Sequence, residues 1–163
     1  MAINNMRDAL VTELKDLLSA ERQITKALPK MAEKAQHPKL KEAFETHLRQ
    51  TEGQIDRLEQ AFAELGESAR SEKCKAIAGI IEEGEELLKK KVDPEIKDAM
   101  LIAAAQKVEH YEIASYGTVR SWADDLGLDS VARLMEETLN EEKHTDDLLN
   151  QLSIEVNRKA EAA

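Results

Sequence analysis

Helix-breaking residues gather at only a few places in this chain, and their spacing limits the fold more than any other feature. The 163 residues contain 6 Gly and 3 Pro. His37-Pro38 and Asp93-Pro94 each place a proline where a first helical turn needs no amide donor, and Asp93 is available to cap the helix that follows. The Gly66-Glu67-Ser68 and Asp125-Leu126-Gly127 stretches interrupt the helical period. Four long helices are therefore expected at about 4–36, 38–65, 94–125 and 128–157. Between the second and third, Ile77, Ile80, Ile81, Leu87 and Leu88 recur at helical spacing within Cys74 to Lys91, which predicts an extra amphipathic helix. Pro29 falls inside the first helix and is expected to kink it.

Short turns join the first helix to the second and the third to the fourth, so each pair should form an antiparallel hairpin. The long middle segment allows one hairpin to be laid beside the other. The expected fold is all-α: a four-helix bundle with one crossover that carries the extra short helix. Hydrophobic side chains at 42% suffice for one core, so residues 1–163 are read as a single domain, with its core at about 4–157 and a polar tail at 158–163. Aromatic residues at 3% and so few turn formers argue against a β-sandwich or barrel.

Lys and Arg number 23 against 33 Asp and Glu, a net charge of −10. Such a surface repels phosphate backbones and anionic lipid, so neither nucleic acid nor membrane is expected as a partner. MAINNMRDAL lacks the apolar run of a signal peptide, no stretch approaches the ~18 apolar residues of a membrane span, and Cys74 has no second cysteine to pair with. A reducing cytoplasm is the expected location.

The helices carry polar residues where a core should be. In the first, Leu10, Leu14, Leu17, Ile24 and Leu28 follow a three-and-four spacing that also lands on Glu21. The second repeats the pattern with Leu40, Phe44, Leu58, Phe62 and Leu65, interrupted by His47, Thr51 and Gln54. In the third, Ile102, Ala105, Ile113 and Tyr116 bracket Glu109, and Glu112 lies about 60° round the same face. In the fourth, Leu134, Thr138, Thr145, Leu148, Leu149 and Leu152 form an arc whose centre is flanked by Glu141 and Glu142. Each interruption falls near mid-helix, so antiparallel packing should bring them to one level.

Several carboxylates in a dry interior repel one another unless protonated or neutralised. Carboxylate oxygens with an imidazole suit iron or manganese, as one or two divalent ions. The candidate ligands are Glu21, Glu109, Glu112, Glu142 and His47, followed by Gln54, Glu141 and His144. Glu141-x-x-His144 has the ligand spacing of di-iron bundles, yet His144 sits about 100° from Thr145 and is read as a surface residue. The alternative is a structural network in which the acids pair with His47, Lys26, His110 or a tyrosine hydroxyl. His110, beside Ala103, Ala114 and Gly117, is read as a packing or hydrogen-bonding residue, Tyr111 and Tyr116 as core or interface tyrosines, and Cys74 as an inert thiol. The run Glu82, Glu83, Glu85, Glu86 is read as a solvated face.

LLSAERQITKALPKMA, KCKAIAGIIEEGEEL and above all DAMLIAAAQKVEHYEIASYGT give the chain from about residue 10 to 157 a close similarity to the YciF-like stress-protein family of the ferritin-like superfamily. The resemblance implies a dimeric, rubrerythrin-like four-helix fold with an additional helix and an association with bacterial stress responses, without a defined reaction. Carried over by position, Glu21 and Glu109 fill the superfamily's single-Glu places, and Glu142 fills the Glu of a Glu-x-x-His pair. Thr51 stands where the other such Glu is expected, and Gln54 and Thr145 stand where the histidines would be, which points away from a full di-iron centre. Two functions follow as expectations: an iron or manganese protein with peroxide- or Fe(II)-linked redox activity, or a non-enzymatic homodimeric scaffold with a degenerate metal site.

Overall fold

The computed structural model describes residues 3–163, and the described residues form five helices: α1 (Met6–Lys34), α2 (Pro38–Glu64), α3 (Lys75–Lys89), α4 (Pro94–Asp125) and α5 (Asp129–Ala162). Local chemistry sets their ends. Asn5 caps α1 by accepting the Asp8 amide at 2.9 Å. Gly66 (φ 65°) and Gly127 (φ 68°) adopt the left-handed conformation that closes a helix, with Glu67 N–H donating to Phe62 O and Leu128 N–H to Ala123 O, both at 2.9 Å. The prolines begin α2 and α4 as expected, but Asp93 makes no capping bond through its side chain: it is exposed, where water solvates its carboxylate. Pro29 lies on the exposed side of α1, where water can solvate the carbonyl left unpaired, and the helix runs on to Lys34. The polar tail at 158–163 is exposed for the most part and continues α5 as its last turn to Ala162, past the expected end at 157, because Arg158, Lys159, Ala160 and Glu161 are good helix formers.

Two apolar clusters show how the helices run. One gathers Leu28 of α1, Leu40 and Phe44 of α2, Leu101 and Ile102 of α4, and Leu149 and Leu152 of α5. The other gathers Leu10 and Leu14 of α1, Leu58 and Phe62 of α2, Val119 of α4, and Val131 and Met135 of α5. Hence α1 and α5 point one way, and α2 and α4 the other. The end of α2 and the start of α4 lie at opposite ends of the bundle, so the crossover must span its length. It carries α3 against α1 and α4. This is a ferritin-like helical bundle. Leu134 and Leu148, expected in the arc of α5, are half-buried, and Met135 and Leu139 go deeper.

Candidate metal centre

The polar residues of all four long helices meet between the two apolar clusters. Glu21, His47, Thr51, Gln54, Glu109, Glu112, Thr138, Glu142 and Thr145 are all buried. One ligand atom each from His47, Glu109, Glu112 and Glu142 lies within 4.8 Å of the others. Glu109 and Glu112 reach that point together because one helical turn separates them on α4. Glu21 stands beside this group, with Tyr116 O–H donating to its Oε1.

His47 Nε2 is 3.2 Å from Glu109 Oε1 and 3.7 Å from Glu142 Oε2, while its Nδ1 faces Thr145 Oγ1 at 3.4 Å. When Nδ1–H donates to Thr145 and Nε2 carries no proton, the Nε2 lone pair faces the acids, the form in which imidazole binds a metal; with Nε2 protonated the ring is an imidazolium paired with Glu109. Thr51, at a position where the superfamily resemblance implies a Glu, turns its hydroxyl back to His47 O at 2.9 Å and offers the centre no carboxylate. Gln54 is a donor here: its Nε2 reaches Glu142 Oε1 and, at 3.0 Å, Glu141 Oε2.

Five carboxylate oxygens of this layer have no hydrogen-bond partner: Glu21 Oε2, Glu109 Oε2, both oxygens of Glu112, and Glu142 Oε2. Burial without such bonds disfavours charge. It lifts Glu21 to about 7 against the opposing pull of Tyr116, Glu112 and His47. Glu112 is held well above the usual carboxylate range by burial, then by the charges of Glu21, Glu142 and Glu109. Burial raises Glu142 likewise, with His47 opposing and Glu109 and Glu21 reinforcing. Burial acts against charge on His47 too, but Glu109, then Glu142 and Glu21, overcome it and raise the imidazole to about 10. Protons or a bound cation would each offset the mutual repulsion of these acids, and the cluster could hold a metal ion.

The other candidates fall outside this group. Glu141 is half-buried and ion-paired to Arg57, and His144 is exposed on α5. Two expected partners of the acids are displaced: Lys26 is exposed, and the His110 side chain is 68% exposed and sits 3.3 Å from Asp146, because its face of α4 turns to solvent. Arg57, which sequence reading passed over, flanks the layer by donating to Thr138 and Glu137 at 3.0 Å as well as to Glu141. Its spacing, three residues after Gln54, was the available signal. Cys74 is buried at the start of α3, beside the Tyr111 hydroxyl at 3.2 Å, and burial pushes its thiol up, consistent with an inert thiol.

Fold and site together define a class: a ferritin-like helical bundle with a buried cluster of one histidine and several carboxylates. The chain belongs to the family described as a domain of unknown function, DUF892, whose profile matches residues 5–162. It is 47% identical over 163 residues to protein YciF of Escherichia coli strain K12, across 99% of this chain and 98% of that one. The crystal structure of the E. coli stress protein YciF superposes with a TM-score of 0.93 at 44% identity, covering 96% of this chain and 99% of that chain. A protein from Xanthomonas campestris at 21% identity and TM-score 0.74, covering 97% and 99% of the two chains, shares the fold. No helix among the described residues is long and apolar enough to cross a membrane.

Proposed function

We propose that this protein binds a divalent transition metal, iron or manganese, through His47, Glu109, Glu112 and Glu142, and serves a stress response through peroxide- or Fe(II)-linked redox chemistry. The observation that carries this reading is the convergence of four buried ligand atoms within 4.8 Å, several of them on carboxylates with an unpartnered oxygen. Three carboxylates and a neutral imidazole match the donor preference of such ions. A bound ion supplies Lewis acidity and, for iron or manganese, a second oxidation state. The chain's own residues do the rest. Thr145 fixes the imidazole, Gln54 orients Glu142, and Tyr116 holds Glu21 beside the ligands, where its free oxygen is available to a second, weaker ion. The family resemblance adds a homodimer to this reading, which sedimentation at micromolar concentration tests.

The test is metal retention. Protein incubated with Fe(II) or Mn(II) and then desalted should keep at least a substoichiometric amount by elemental analysis, and Glu109→Ala or Glu142→Ala should lower it. No binding heat for either ion, with both variants behaving as the native chain, removes the metal. The second reading then stands: a homodimeric scaffold in which the Tyr116–Glu21, Gln54–Glu142 and His47–Glu109 contacts form a metal-free network.

A further inference from the structure

A cavity of about 40 Å³ lies between α3 and the rest of the bundle. Ile24 of α1, Phe44 of α2, Ile81 of α3 and Ala105 of α4 give it apolar walls, while His47, Glu109 and Thr145 line its inner end. His47 and Glu109 are each only 2% exposed, and His47 Nε2 and Glu109 Oε2 have no hydrogen-bond partner. A mostly apolar cavity thus has two groups of the candidate metal centre in its lining.

The helix above it is seated unevenly. At its start, Cys74 N–H donates to Ser19 Oγ at 2.9 Å, Gln23 donates to Cys74 O at 3.1 Å, and Ile77 is fully buried. Its second half packs the partly buried Ile81 and Leu88 against the core and adds exposed ion pairs, Lys30–Glu85 at 2.6 Å beside the cavity and Lys107–Glu83 at 3.1 Å, of a kind that contributes little to stability. Gly84 faces α4 there, and a Cβ at that position would sit in ordinary van der Waals contact with Ala104 Cβ at 3.8 Å, so the glycine leaves room for about a methyl group in the seam between the helices.

We propose that this cavity admits and holds a small, uncharged, apolar molecule of dioxygen's size next to His47 and Glu109, an inference that rests on the metal-binding reading above. Apart from His47, Glu109, Thr145, Lys30 and Glu85 the walls are hydrocarbon, so a hydrated ion would shed most of its water shell without compensation. The volume exceeds the roughly 10–15 Å³ that one water needs and falls far below the roughly 150 Å³ of an apolar cavity that holds benzene, which fits a ligand of a few heavy atoms.

Xenon is the probe, since it enters dry apolar cavities and needs no metal. Crystals of the metal-free native protein under xenon pressure should show xenon between α3 and α4 within van der Waals reach of Ile81 and Ala105. Gly84→Leu should fill the seam and abolish that site while Mn(II) retention stays at the native level. Ile81→Ala should raise xenon occupancy, and it keeps the test open if Gly84→Leu does not fold. A native crystal without xenon in this cavity, or with an ordered chain of waters filling it, overturns the proposal. Xenon bound as expected in a protein that retains no Mn(II) upholds the cavity's ligand class and sinks the metal reading alone.

Discussion

Tyr116 on α4 donates its hydroxyl hydrogen to Glu21 on α1, and both side chains are fully buried. The bond joins the first hairpin to the second at mid-bundle and gives Glu21 one satisfied oxygen, leaving the other unpartnered. Tyr116→Phe preserves the ring and removes only the donor. A buried acceptor left without its bond costs about 1–3 kcal/mol, so the metal-free variant should be less stable by that amount. Urea unfolding at pH 8 checks it, and an unchanged midpoint would show that the bond contributes nothing net.

Glu21→Gln separates the charge of this residue from its role as an acceptor. The amide oxygen still accepts from Tyr116, but nothing ionises. Burial lifts native Glu21 to about 7, so at pH 8 it is mostly charged at the expense of the fold, whereas at pH 5 it holds its proton. The metal-free variant should be more stable than the native chain by about 1–3 kcal/mol at pH 8 and near parity at pH 5. Equal stability at both values would contradict a buried, ionising carboxyl.

The pH dependence of the metal-free protein follows with a definite sign. Glu21 rises from 4.5 to about 7 on folding, and His47 from 6.5 to about 10. In both cases the folded chain binds protons more tightly than the unfolded one, so stability falls as pH rises between the two values. The Glu21 contribution is lost between pH 4.5 and 7 and that of His47 between pH 6.5 and 10. Glu112 and Glu142 are raised as well and act in the same sense. Glu155, held to about 2 by Lys159 and His37, acts oppositely but below this range. Tm should therefore decline steadily between pH 5 and about 9.5. Saturating Mn(II) should flatten the decline, because the ion displaces the protons. A metal-free Tm that rises over this interval would refute the assignment.

Helix number, the crossover and the inward direction of Glu21, His47, Glu109, Glu112 and Glu142 were legible because proline and glycine mark helix ends and a 3.6-residue period fixes each face. Periodicity also turned His144 outward correctly. It says nothing of which faces stay uncovered, and so the packing role considered for His110 fails, since α4 leaves it in solvent beside Asp146. The three-residue spacing from Gln54 placed Arg57 on the face of the layer without giving its partner, and Asp98 was missed for the same lack of a partner. Each acts on residues far away in the chain, Glu141 and His37 respectively, and only the packed structure brings them together. The apolar cavity was equally illegible, since it belongs to the fit of α3 against three other helices.

Asp98 gives a stability prediction independent of the metal centre. From α4 its Oδ1 accepts the Gln36 amide at 2.9 Å and its Oδ2 the His37 amide at 2.8 Å. His37 supplies no side-chain cap of its own at the start of α2, so this buried carboxylate fixes the α1–α2 turn to the second hairpin. Asp98→Ala leaves two amides without acceptors and should cost about 2–4 kcal/mol. Asp98→Asn keeps one oxygen and should cost roughly half as much. Asp98 and Glu109 are eleven residues apart on one helix, about 16 Å along its axis, so Mn(II) retention should be unchanged in both variants under conditions where they remain folded. Hydrogen exchange at the Gln36 and His37 amides should accelerate in Asp98→Ala ahead of the bundle interior. Native-like protection there would mean that the turn is held by packing rather than by this carboxylate.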